Sequence, residues 1–189
     1  NARYMKQPAY TTSVEALRKM MGGVMRWNLW LFLVRRSLYV ENDIRFTEGL
    51  NMGEDMMVMM KLFICAGKVG IVHRPFYHYR QSNPESLTKI YSQEHIIQVA
   101  NNVYEVEKYV NASAYADSLI EFIPFLKLNI KLPLLITDDK SHYEQWLECF
   151  PEANCYVMNN KLLPLRTRII QWMAVKRYFI LLRLYYRTV

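Results

Sequence analysis

Residue patterns that build disulfide frameworks and metal centres are scarce in this sequence. The cysteines number three, Cys65, Cys149 and Cys155, and they share no C-x-x-C spacing. Such a set favours neither a disulfide framework nor a tetrahedral zinc site. The four histidines include no H-E-x-x-H pair, so metal binding by protein nitrogen or sulfur is not predicted. We therefore expect a protein of the reducing cytoplasm.

Acidic side chains are absent from the end of the sequence. Residues 1–152 hold 17 basic and 17 acidic side chains, whereas residues 153–189 hold 7 basic ones and no Asp or Glu. The net charge of +7 therefore belongs to this last segment. A basic segment suits an anionic partner, either lipid headgroups or nucleic acid, and the sign of the charge does not choose between them.

Apolar side chains, in contrast, are abundant. With 52% hydrophobic and 14% aromatic residues, the chain is apolar enough to bury a substantial core. One globular domain with a helical extension is the expectation. Because the sequence opens on NARYMKQPAY, without a methionine or a targeting pattern, we expect a fragment of a longer protein.

Local patterns predict helices along most of the chain. Thr12 and Glu15 form a capping-box pattern for a helix S-V-E-A-L-R-K-M-M, which Gly22 and Gly23 would end. The apolar run from Met56 to Ala66, bounded by glycines, predicts a buried helix. Further helices are predicted from Ser92 onward and at 113–130, 141–149 and 165–187.

One segment has the composition of β-strands rather than helices. Residues 68–80 are rich in β-branched and aromatic side chains, with alternation resuming after Pro75, and this pattern predicts a small, incomplete sheet. The predicted fold class is therefore α+β and mostly helical.

Two adjacent carboxylates open the buried helix, in the stretch EGLNMGEDMMVMMKLF. Neighbouring side chains on a helix diverge by roughly 100°, so Glu54 and Asp55 do not both point into one small site. One can face a cleft while the other anchors the loop. The N–H groups of a helix start stabilise an ionised carboxylate, which suits a general base. Acidic residues also cap first helical turns without further function, and spacing alone favours that structural role.

An ordered set of motifs surrounds these carboxylates. It comprises W-N-L-W, L-V-R-R-S-L-Y, N-D-I-R-F-T-E-G-L, G-E-D and F-Y-H-Y-R followed by S-L-T-K. In this order, the set resembles the second half of the catalytic domain of bacterial family 2 glycosyltransferases, which have the GT-A fold. The resemblance covers roughly residues 11–90. It implies that residues 1–90 form the acceptor-side part of a GT-A-like domain, with residues 91–189 as a helical C-terminal extension.

The resemblance also implies an activity. The complete protein would be an inverting hexosyltransferase of cell-surface polysaccharide synthesis, moving a sugar from a nucleotide-sugar donor to a glycan or lipid-linked acceptor. Asp55 would be the catalytic base, supported by Glu54. In the family, Mg²⁺ or Mn²⁺ is bound by a DxD motif in an N-terminal nucleotide-binding half that this sequence lacks. We therefore expect no metal on this chain and no activity in isolation.

Three more residues are candidates for substrate binding. Relatives place the F-Y-H-Y-R segment near the donor diphosphate, so Arg80 would contact phosphate with its planar set of donors. An ordinary arginine paired with a carboxylate is an equal alternative. Tyr79 and Trp30 would stack on sugar rings, although packing roles are the stronger expectation for aromatic side chains.

The basic tail allows three partners. Lys176, Arg183 and Arg187 fall at i, i+7 and i+11, and would form one stripe on an amphipathic helix that can lie peripherally on the inner face of the cell membrane. Alternatively, this helix packs on its own domain or on a second copy, since a cut domain exposes apolar surface and self-associates. Nucleic acid is not predicted, because no nucleic-acid motif accompanies the charges.

Two functions thus remain after the sequence is read. The first is a fragment of an inverting glycosyltransferase. The second is a helical interaction or membrane-surface module without catalytic activity, in which G-E-D is a helix cap.

Overall fold

The computed structural model describes residues 7–74, 76–78 and 93–188, and these ranges contain nine α-helices. Their bounds are α1 Ser13–Met21, α2 Arg36–Glu41, α3 Glu54–Cys65, α4 Gln93–Asn111, α5 Ala116–Leu119, α6 Ile123–Lys131, α7 Lys140–Glu148, α8 Leu165–Val175 and α9 Phe179–Thr188. Short 3-10 turns lie at Leu29–Leu31, Ile120–Phe122, Leu132–Leu135 and Pro151–Tyr156.

The predicted α+β fold class, with its GT-A-like sheet, is wrong. No β-strand occurs in the described residues, which include 68–74 and 76–78 of the predicted sheet. Side chains there are largely exposed, and that of Phe76 is 72% exposed. A β-strand forms only when its backbone is hydrogen-bonded to a neighbouring strand. A segment with strand-like composition but no such neighbour therefore does not become a strand. The described chain is mostly helical.

The described residues divide into two compact units. Residues 7–17 and those between 26 and 116 form the first unit, and residues 18–25 and 117–188 form the second. Helix α4 belongs to the first unit. The predicted division of function between residues 1–90 and 91–189 stays a prediction.

The core of the first unit is built on α3 and α4. The predicted buried helix is confirmed, because α3 buries most of its length, including the four methionines at Met56, Met57, Met59 and Met60. Methionine side chains are flexible enough to fill irregular gaps between helices. On α4, Val103, Val106 and Val110 are fully buried at helical spacing, as the pattern predicted.

Helix α1 has the predicted bounds. At its start, Thr12 Oγ1 accepts a hydrogen bond from the Glu15 N–H at 3.1 Å. The Glu15 carboxylate accepts the Thr11 N–H at 2.8 Å, one residue earlier than a standard capping box requires. At its end, Gly23 has φ of 82°, the left-handed conformation that commonly ends a helix.

In the second unit, a buried lysine holds the end of α7. Lys131, 1% exposed, donates from Nζ to the carbonyl oxygens of Cys149 at 2.5 Å and Phe150 at 3.3 Å and to Asn154 Oδ1 at 2.5 Å. Its ammonium also lies 4.2 Å from the centre of the Trp146 ring. These bonds satisfy carbonyl groups that the helix end leaves open, and they hold Phe150 at φ of 50°.

The predicted helix at 165–187 is two helices. Arg177 takes φ of 58° between α8 and α9, and the chain folds back so that the Trp172 and Tyr178 rings meet at 5.7 Å. The predicted single stripe of Lys176, Arg183 and Arg187 is therefore broken. Glycine is the usual sequence signal for a left-handed residue at a helix end. Arginine gives no such signal, so the break could not be predicted from the sequence. None of the described helices is long and apolar enough to cross a membrane.

Candidate active site

The start of α3 is fixed by side chains of α4. Asn102 Nδ2 donates to the carbonyl oxygen of Met52 at 2.8 Å, and Gln98 Oε1 accepts the Asn51 N–H at 2.9 Å. Gly53, the N-cap, has φ of 81°, and a methyl group there would lie 3.3 Å from the Val99 Cα atom. The glycine is required twice, by the left-handed backbone and by the close approach of α4. These contacts with α4 position the backbone that carries the two carboxylates.

Asp55 connects α3 to the W-N-L-W segment. Its Oδ2 atom accepts the Leu29 N–H at 3.2 Å, and Leu29 begins the 3-10 turn Leu29–Leu31. No other residue in the described ranges is hydrogen-bonded to this half-buried carboxylate. Within the part of the chain that the structure describes, the Asp55 carboxylate is thus held through Oδ2 alone.

Burial makes both carboxylates more basic. The pKa of Asp55 is raised by burial, against a lowering by the Leu29 N–H. Burial likewise raises the pKa of Glu54, opposed by its own backbone N–H and reinforced by the negative charge of Asp55. The expectation that the helix start favours the ionised form is thus outweighed by desolvation. A carboxylate with a raised pKa is a better proton acceptor.

Tyr39 is a site residue that sequence reasoning missed. It lies on α2, and its pKa is raised by burial and by the charge of Asp55. A phenol held in its neutral form beside a carboxylate can donate a hydrogen bond. The signal was present in the S-L-Y motif, but nothing in the spacing connects this tyrosine to a carboxylate sixteen residues later.

An aromatic pair includes the residue that follows Leu29 in the chain. Trp30 follows Leu29 directly, and its ring stacks on that of Tyr77 with centres 5.2 Å apart and planes 22° apart. Trp30 is half-buried and Tyr77 is exposed. Phe32 packs edge-on against Phe63 of α3 at 5.6 Å, which holds the same turn from its other end. An exposed ring backed by a second ring is a surface on which a sugar can stack.

Some of the site residues predicted from the sequence lie among the described residues, and others do not. Glu54 and Asp55 open α3, and Asp55 is hydrogen-bonded to Leu29, the neighbour of Trp30 in the chain. A shared role of the three side chains in one site stays a prediction. Tyr79 and Arg80 lie outside the described residues, so their predicted contacts with substrate stay predictions.

The described residues do not fit a divalent metal site. Within these ranges, no group of three His, Cys, Asp or Glu side chains could hold an ion. In the second unit, the Asp pair of T-D-D-K serves other roles: Asp139 caps α7 by accepting the Ser141 N–H at 2.9 Å, and Asp138 pairs with Arg183 and Arg187.

Comparison with known proteins gives a partial similarity. Over 64 residues, the chain is 34% identical to a protein of Bacillus subtilis (strain 168) named uncharacterized glycosyltransferase EpsJ. The matched stretch spans 34% of this chain and 18% of that protein. No family model matches the chain, and no solved structure matches it significantly. In part of its length, the chain is thus similar to a protein named a glycosyltransferase.

Proposed function

We propose that this chain carries the acceptor-side part of an inverting glycosyltransferase related to family 2, with Asp55 as the general base. The observation that supports this most is a half-buried carboxylate with a raised pKa, held among the described residues through one oxygen by the Leu29 N–H. A carboxylate whose only role is to cap a turn does not need to be removed from water. The partial similarity to a protein named a glycosyltransferase supports the same activity.

In this proposal, one carboxylate is sufficient for the reaction. The acceptor hydroxyl oxygen attacks the anomeric carbon of the nucleotide-sugar, a new C–O bond forms, and the bond to the departing nucleoside diphosphate breaks. Asp55 Oδ1 takes the proton of the hydroxyl as the bond forms. The Leu29 N–H holds the carboxylate in one orientation, so that the basic oxygen is placed before the acceptor arrives.

The remaining residues have supporting roles in the proposal. Glu54 adds negative charge beside Asp55, and Tyr39 donates from its phenol to the acceptor or to the base. Trp30 and Tyr77 form the stacking surface for the acceptor sugar. Arg80 and Tyr79 remain the proposed contacts to the donor, with Arg80 directed to its diphosphate. No step is assigned to a metal ion on these residues.

The test is sugar transfer by the natural protein that contains this sequence, assayed with a panel of nucleotide-sugars and with Mg²⁺ or Mn²⁺ present. Asp55→Asn removes the base but keeps an oxygen that can accept the Leu29 N–H. We expect kcat to fall by about 10²- to 10⁴-fold, with donor affinity and the circular dichroism spectrum unchanged. Glu54→Gln is the matched control, because it neutralises the adjacent carboxylate, and we expect a smaller loss.

Two results would contradict the assignment. If Glu54→Gln abolishes transfer while Asp55→Asn retains it, the base is Glu54 and Asp55 is a cap. If neither variant changes transfer, or if no donor of the panel is used, the catalytic proposal fails. The second candidate, an interaction module, would then be favoured, since the Leu29 contact is also what a helix-linking cap requires.

A further inference from the structure

An unusual apolar face lies on the last two helices, in the second unit. On α8, Leu165, Ile169 and Trp172 are exposed at i, i+4 and i+7, on the side opposite the buried Gln171 and Ala174. A helix that packs on a protein core normally turns polar side chains outward. Here the outward side is apolar, so burial in the unit does not explain it.

Helix α9 extends this face. Ile180 is 76% exposed, and Leu181 and Leu184 are exposed with it, whereas Leu182 on the other side is buried. The Trp172 and Tyr178 rings are both exposed and in contact, so the apolar stripe of α8 continues into the turn that leads to α9. We call the exposed apolar side chains of the two helices the hairpin face, formed by Leu165, Ile169, Trp172, Ile180, Leu181 and Leu184.

Cations accompany the hairpin face. Lys176 directly follows the end of α8, four residues after Trp172, and Arg177 comes next, both exposed. Arg183 and Arg187 of α9 share the single carboxylate of Asp138, at 2.6 and 2.8 Å, which leaves a net positive charge. Residues 153–189 contain no Asp or Glu. The two helices therefore carry both exposed apolar side chains and an excess of cations.

We propose that the hairpin face docks on the surface of an anionic lipid bilayer, with α8 and α9 lying in the plane of the interface. An interface takes apolar side chains into the acyl boundary and accepts Lys and Arg among the headgroups. Tryptophan is favoured at that depth. The inference does not depend on the role of Asp55.

Other occupants fit these features less well. A second copy related by two-fold symmetry would bring the same patch against itself, and the cations of the two copies would face each other without an acidic residue from 153–189 to pair with them. A nucleic acid would satisfy the charges but would leave Ile180 and Leu184 in water. The bilayer surface is the partner that accommodates both the charge and the apolar side chains.

The test is flotation of the chain with vesicles of phosphatidylcholine alone or mixed with phosphatidylglycerol, since aggregated protein does not float. We expect flotation with the anionic vesicles that weakens as salt is raised. Ile180→Ser with Leu184→Ser should weaken binding at least about tenfold. The matched control, Leu33→Ser with Val40→Ser, changes two exposed apolar residues of the first unit and should leave binding unchanged.

A second pair of variants tests the charges. Lys176→Gln with Arg177→Asn removes two cations. Asparagine tolerates the φ of 58° at position 177. The double variant should weaken binding about 30-fold. Arg35→Gln with Arg36→Gln removes two exposed cations of the first unit and should have no effect. Each variant is checked for an unchanged circular dichroism spectrum and unfolding midpoint.

Three outcomes would overturn the proposal. The first is no flotation of the wild-type chain with anionic vesicles, and the second is equal loss in the hairpin variants and their controls. The third is a different partner: a concentration-dependent dimer that the Ile180 and Leu184 changes dissociate, or duplex DNA binding that depends on Lys176 and Arg177 but not on the apolar residues, without flotation in either case.

Discussion

A buried lysine in the second unit and a half-buried aspartate in the first have different numbers of hydrogen-bond partners. Lys131, in the second unit, donates to three oxygen acceptors and lies over the Trp146 ring. An ammonium has three hydrogens to donate, so its capacity is used within the fold. Asp55, in the first unit, accepts a hydrogen bond from Leu29 alone among the described residues. A filled site of this kind stabilises structure, whereas a carboxylate with an open oxygen can act on a ligand.

The largest effect on stability is expected at Lys131. Lys131→Met preserves the length of the side chain but leaves the Cys149 and Phe150 carbonyls and Asn154 Oδ1 without their donor. We expect the free energy of unfolding in urea to fall by roughly 3 kcal/mol. Lys140→Met, which removes an exposed lysine paired with Glu144, should cost less than about 1 kcal/mol. Equal losses in both variants would mean that Lys131 is not a structural clamp.

The shifted pKa of Lys131 also predicts the direction in which stability changes with pH. Burial lowers the pKa of Lys131 from 10.5 to about 8, so the native state releases this proton before the unfolded state does. Between these two pH values the unfolded chain binds more protons, and the unfolding free energy of the wild type rises relative to Lys131→Met. Urea titrations of both proteins below pH 8 and near 10.5 measure the difference. A difference that does not change with pH would contradict the lowered pKa of Lys131 in the native state.

Gly53 tests the rigidity of the carboxylate site. Gly53→Ala forces a side chain into φ of 81° and against the Val99 Cα atom at 3.3 Å, and we expect a loss of roughly 2 kcal/mol in unfolding free energy. Gly49→Ala is the matched control, because Gly49 has φ of 78° but no atom within 4 Å. It should lose only the part due to backbone strain, about 1 kcal/mol. Equal losses would show that contact with α4 does not position α3.

The smallest effect concerns the stability role of Asp55 itself. Asp55→Ala removes the acceptor of the Leu29 N–H and should cost about 1 kcal/mol, whereas Asp55→Asn retains an acceptor. Because burial raises the pKa of Asp55, the wild type loses stability as pH rises through that pKa and the asparagine variant does not. Urea unfolding should therefore show that the unfolding free energy of Asp55→Asn, relative to that of the wild type, is higher at neutral pH than at acidic pH. A stability deficit of Asp55→Asn equal to that of Asp55→Ala would mean that the charge itself is structural.

The buried helices could be predicted from the sequence, whereas the lack of a sheet in the described residues could not. The pattern of α3 and the valines of α4 specify burial whatever the helices pack against, because the hydrophobic spacing is local. Residues 68–80 specify only an extended backbone, and a strand needs a partner elsewhere in the chain. The break between α8 and α9 likewise depends on the left-handed conformation of Arg177. An arginine in the sequence does not predict that conformation.

The site was predicted in part for the same reason. The position of Glu54 and Asp55 in the first turn of a buried helix follows from Gly53 and the apolar run after it. Their surroundings do not follow. The contact with Leu29 spans 26 residues of sequence, and the influence of Asp55 on Tyr39 depends on how α2 lies relative to α3. Spacing along one helix carries no information about which backbone N–H reaches its first turn.

By itself, the sequence determined the helical character of most of the chain, the place of the two carboxylates and the excess of cations in its last segment. These properties depend on neighbours in the chain, whose propensities, caps and charges act locally. Tertiary structure alone decided that the carboxylates are desolvated, that Leu29 holds one oxygen of Asp55, and that the final helices turn apolar side chains outward. Those properties depend on which surfaces are removed from water, and that is settled only when distant segments pack together.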